Sequence, residues 1–135
     1  MENIKDLLEP KVKEFDINFS NKSIPEIFNV NYDLWTLKLT LSFNDHPSLV
    51  YLIFKNVVGF RVLDEGNLLE FWDSEVRTPG WIWKVESGGW FELEKLRSGF
   101  LAQYHAISHN EYLILGINDC VSVISESEPI IIDSE

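Results

Sequence analysis

The chain has 135 residues, 45% hydrophobic and 13% aromatic, which suits one folded domain over residues 1–135 and excludes a chain disordered by composition. Twenty-two acids against 11 lysines and arginines leave a net charge of −11, a field that repels nucleic-acid backbones and anionic membranes and attracts a basic protein partner. No run reaches the roughly 18 apolar residues of a membrane helix. "MENIKDLLEP" carries four charges and no apolar core, unlike a signal peptide, and one cysteine makes no internal disulfide, so a soluble cytoplasmic protein is expected.

In chain order, residues 2–14 are expected to form a short helix on Ile4, Leu7 and Leu8, interrupted by Pro10. "NFSNKSIPEIFNVNYD" reads mainly as loop with at most one short strand, because Asn and Ser favour turns. "LWTLKLTLSF" is the clearest strand: Trp35, Leu37, Leu39, Leu41 and Phe43 alternate with Thr36, Lys38, Thr40 and Ser42. "NDHP" turns the chain. "SLVYLIF" is apolar on both faces and reads as a central strand. "NVV" bends the chain into a third strand, "GFRVLD".

Asp64 is expected to cap a helix of one or two turns, with Leu68 and Trp72 on its inner side and Glu65, Glu70 and Asp73 outward. In "WIWKVESGGWFELEKL", Trp81, Trp83 and Val85 point to one face. Gly88-Gly89 suits a tight hairpin that returns through Trp90, Phe91 and Leu93. "EYLILGINDCVSVIS" predicts a second hairpin around Asn118-Asp119. That turn sets Ile117 opposite Cys120, Leu115 opposite Ser122 and Ile114 opposite Val123. Val121, Val123 and Ile114 share one face, Leu113, Leu115 and Ile124 the other. "EPIIID" is a last strand with Pro129 at its start, where no ladder donor is lost. The expected class is α+β, predominantly antiparallel β: a single twisted sheet curled toward a half-barrel or sandwich, with one or two short helices.

Motifs for chemistry are sparse. His105 and His109 are four apart in "HAISH", without the Glu of a zinc frame, so no metal is expected. Cys120 follows Asp119, and an adjacent carboxylate opposes thiolate formation. No nucleophile elbow and no phosphate-cradling glycine spacing occurs, so no cofactor and no catalytic residue is assigned. A carbohydrate-active domain with a Trp-lined pocket would use Glu65 and Glu70 beside Trp72, Trp81 and Trp83. A homodimer burying exposed aromatics is a further alternative. For the tryptophans of 81–90, core packing competes with a partner surface, since Trp serves both.

"VVGFRVLDEGNLLEFW" and "EYLILGINDCVSVIS" followed by "EPII" resemble segments of the small acidic immunity proteins that bacteria make against contact-dependent and polymorphic toxins. The likeness spans about half the chain and attaches to no named family. It implies a non-enzymatic inhibitor that masks the active site of a toxin domain, often a basic nuclease. Separately, residues 61–135 hold 14 acids and 5 bases against 8 and 6 in residues 1–60, so the surplus sits late in the chain. The candidate partner-binding residues are Asp64, Glu65, Glu70, Asp73, Glu75, Glu86, Glu92 and Glu94, with Trp72 or Trp90 as anchor.

Overall fold

A computed structural model describes residues 11–19, 23–64, 80–87, 90 and 110–134. Among the described residues the strands are nine: β1 (Lys11–Glu14), β2 (Glu26–Asp33), β3 (Thr36–Ser42), β4 (Val50–Phe54), β5 (Val57–Asp64), β6 (Ile82–Ser87), β7 (Asn110–Leu115), β8 (Asp119–Ser125) and β9 (Ile130–Asp133). They form two antiparallel sheets, not one. The first runs β1-β6-β7-β8-β5 and the second β2-β3-β4-β9.

The alternation of residues 37–43 builds the core. Leu37, Leu39, Leu41 and Phe43 are buried, as are Val50, Leu52 and Phe54 of β4, which pairs with β3 in the register Leu39↔Leu52. They pack against Trp81, Ile82, Tyr112, Ile114, Val121 and Val123, so the two sheets meet face to face across one core. Burial of each such aliphatic side chain stabilises the fold by about 1.5–3 kcal/mol. β4 is central, between β3 and β9. The outward residues of β6, β7 and β8 are buried too: Trp83, Val85, Leu113, Leu115 and Cys120 form a second cluster with Val12. Both faces of the β7–β8 hairpin are covered, as its sequence implies.

The chain changes sheets between β4 and β5. Asn56 adopts a left-handed conformation (φ 56°), which Asn tolerates better than most residues. Its side-chain amide donates to Ser127 Oγ at 3.2 Å, and its carbonyl accepts from the Glu126 amide at 3.1 Å. The bend expected from "NVV" is therefore a crossing between layers: of the expected half-barrel or sandwich, the two facing sheets match the sandwich, and the strands do not lie in a single sheet.

Several local expectations are corrected. Residues 11–14 are strand β1, paired with β6, not the end of a helix. Residues 26–33 are an eight-residue strand; β2 is an edge strand, exposed along most of its length, which is why its polar composition reads as loop. Trp35 does not continue the alternation of β3 but lies in the turn before it. β6 has β1 on one side and β7 on the other, and the expected return through Gly88-Gly89, Phe91 and Leu93 lies outside the described residues. Trp81 precedes β6 and packs in the core between the sheets, whereas Trp83 and Val85 lie on the outer face.

The β7–β8 register is Leu115↔Cys120, Leu113↔Ser122 and Ile114↔Val121, two residues off the expected pairing. The turn is Ile117-Asn118, closed by the Gly116 amide donating to the Asp119 carbonyl at 2.8 Å. A Cβ on Gly116 would lie 2.5 Å from that carbonyl and 2.8 Å from Ile27 Cδ1, so glycine belongs at this pairing position. A slip of two leaves every side chain on its expected face. The short helix from Asp64 lies outside the described residues, except that the Asp64 backbone ends β5 opposite Asp119.

Candidate functional site

Strand register brings three turns to one end of the sandwich. The β2–β3 turn is Leu34-Trp35, flanked by the pair Asp33↔Thr36. The β4–β5 turn, Lys55-Asn56, lies beside it, and the Val57 amide donates to the Trp35 carbonyl at 2.9 Å. The β8–β9 connection, 126–129, is tied to Asn56 by the bonds given above. Asp33, Glu126 and Glu128 of these turns are exposed, as are Lys55 and Glu86 near the end of β6.

The β2–β3 turn departs from what its residues prefer. Both central residues have positive φ, 33° at Leu34 and 78° at Trp35. Two-residue hairpins with this backbone favour Asn-Gly. A bulky residue held there costs about 1–3 kcal/mol. The side chains gain little burial in return, at 76% and 64% exposed. Tyr32 and Phe60 stack nearby at 5.3 Å, linking the edge strands of the two sheets. The end thus presents an apolar tip with Asp33, Glu126, Glu128 and Lys55 exposed around it.

The predicted site residues divide. Glu86 is exposed at this end. Trp90 is half-buried on the outer face of the five-stranded sheet against Ile124. Its backbone amide donates to the buried Glu111 carboxylate at 3.1 Å, and the Arg61 guanidinium stacks 5.0 Å from its ring. The backbone of Asp64 lies at the opposite end, next to Asp119. Glu65, Glu70, Trp72, Asp73, Glu75, Glu92 and Glu94 lie outside the described residues. The opposite end also carries exposed Glu26, Asp45, Asp119 and Asp133, so charge alone does not select an end. Leu34 and Trp35 do. They escaped sequence reasoning because "DLWT" has no Asn-Gly or Gly to mark a turn.

One cluster of described residues has the members of a catalytic relay but not its geometry. His46 Nε2 lies 2.7 Å from Asp133 Oδ2 and 3.3 Å from Ser48 Oγ, and Ser48 donates to Asp133 Oδ1 at 2.7 Å. A Ser-His-Asp relay needs serine and carboxylate on opposite ring nitrogens. Here both meet the same nitrogen, and the group clasps β9 to the β3–β4 connection. Among the described residues, no three His, Cys, Asp or Glu side chains group to hold a metal, and no helix is long and apolar enough to cross a membrane. The Cys120 thiol is buried. Trp81 and Trp83 are each 2% exposed, so neither indole offers a face for stacking a sugar.

No family model, no curated protein and no solved structure matches this chain.

Proposed function

We propose that the chain is a non-enzymatic binding protein for a basic protein partner, and specifically a cytoplasmic immunity protein that neutralises a toxin domain by covering its cationic active site. The observation that supports it is the acid surplus of the surface: Asp33, Glu86, Glu126 and Glu128 are exposed at one end beside Lys55, and Glu26, Asp45, Asp119 and Asp133 at the other, on a chain that carries −11 overall. A site that handles phosphate must be cationic. An inhibitor that presents carboxylates on fixed turns is steered to it, with association rates that rise toward roughly 10⁸–10⁹ M⁻¹s⁻¹ at low salt. Fast capture matters for an inhibitor that has to act before the toxin does.

The reading requires a toxin gene directly beside this one, and co-expression with that toxin domain tests it. Protection of the cells and co-purification of the two chains are expected. Absence of both would sink it. Association should slow as salt rises, and Glu126→Lys with Glu128→Lys should slow it by about tenfold at low salt. Charge reversal at Glu65, Glu70 and Asp73 in the same assay measures the share of the later acids. An association rate indifferent to ionic strength removes the electrostatic basis.

A further inference from the structure

We infer that Leu34 and Trp35 are the anchor of the binding surface: a preformed apolar plug for an apolar pocket with a cationic rim on the partner. This rests on the basic-partner reading and adds the residues that hold the complex once it has formed.

Three observations converge. First, the turn spends backbone strain to present side chains that its own core does not take up: both φ values are positive at bulky residues, and both side chains remain mostly solvent-exposed. Second, the backbone of the tip is tied on both sides. The pair Asp33↔Thr36 closes it, and the Val57 amide holds the Trp35 carbonyl. A tip fixed before binding loses little conformational freedom on association. A tryptophan seated in a desolvated pocket is a frequent interface hot spot.

Third, the surrounding charge selects the occupant. Asp33, Glu126 and Glu128 are exposed on two of the three turns of this end, against one exposed lysine, Lys55, on the third. A second copy of the chain would set these carboxylates against their own equivalents, and anionic lipid would be repelled likewise. A basic protein meets carboxylates at the rim and fills the centre with the apolar pair. In such a division of labour the rim charges set the association rate and the anchor sets the dissociation rate.

The test compares the wild-type chain with the double variant Leu34→Asn, Trp35→Gly, whose residues suit the turn. The variant should fold, with its folded-to-unfolded ratio in urea raised about tenfold as the strain is relieved. The probe is a phage-displayed library of protein fragments from the source genome, panned against both chains and sequenced. Basic domains that bind wild type and dissociate at least 30-fold faster from the variant are expected. Basic domains that bind both chains alike overturn the anchor and leave the proposed function standing. Neutral or acidic domains that depend on the tip overturn the basic-partner reading and, with it, the cationic rim. No tip-dependent binder, or self-association of the chain that the variant abolishes, overturns the inference.

Discussion

Trp81→Ala is expected to destabilise the fold by about 3–5 kcal/mol, whereas Trp35→Ala should change stability by no more than about 1 kcal/mol. Trp81 is fully enclosed, edge-on to Phe43 at 5.4 Å, and its carbonyl accepts the Leu115 amide at 2.8 Å. It fills the core beside Ile82 where the chain enters β6, and truncation there leaves a cavity that two hydrogen-bonded sheets cannot collapse around. Trp35 loses mainly solvent-exposed area, and alanine retains the Cβ that makes its positive φ costly. Urea unfolding followed by far-UV circular dichroism measures both. A loss below about 1 kcal/mol at Trp81 would contradict the shared core of the two sheets.

The second large effect is alkaline. The Tyr112 phenol is pushed up to about 12 from 10.0, chiefly by burial and secondarily by the negative charge of Glu128. Its hydroxyl has no hydrogen-bond partner among the described residues, and its ring packs against Phe15 and Phe54. Because the folded-state value is raised, the native chain holds a proton that the unfolded chain releases. The associated stability is fully present below pH 10 and declines as pH rises toward 12. Two pH units correspond to about 3 kcal/mol. Urea midpoints of wild type should therefore fall more steeply between pH 9.5 and 12 than those of Tyr112→Phe, which has no proton to lose. Near pH 7, Tyr112→Phe should be neutral or stabilising by about 1 kcal/mol, since it removes a buried hydroxyl without a partner. Parallel curves for the two proteins would contradict the burial of the phenol between the sheets.

Strand periodicity carried much of the fold in the sequence. The alternation at Leu37, Leu39, Leu41 and Phe43 marks one buried face, and the doubly apolar β7 and β8 mark strands covered on both sides. Pairing across distance was not legible. β1 joins β6, and β5 joins β8, through contacts between residues far apart in the chain, and no local pattern encodes them. That is also why two sheets read as one. β2 was obscured because an edge strand tolerates polar residues on its open side. Acidity was visible as a total, but its distribution depends on which turns share an end. Glu126 and Asp33 become neighbours of one tip only through the Asn56 bridge and the Val57–Trp35 bond. The tip itself was hidden for a different reason: Leu-Trp contradicts the usual chemistry of a tight turn, and only the backbone angles reveal it.

The most direct measurement is a backbone amide NMR titration of the ¹⁵N-labelled chain with the basic domain it captures. Shifts contiguous over residues 33–36, 55–57 and 126–128 are expected, with the Trp35 indole resonance moving most. Shifts gathered instead around 45–49 and 116–119, with the Leu34-Trp35 turn unmoved, would contradict binding through this end of the sandwich.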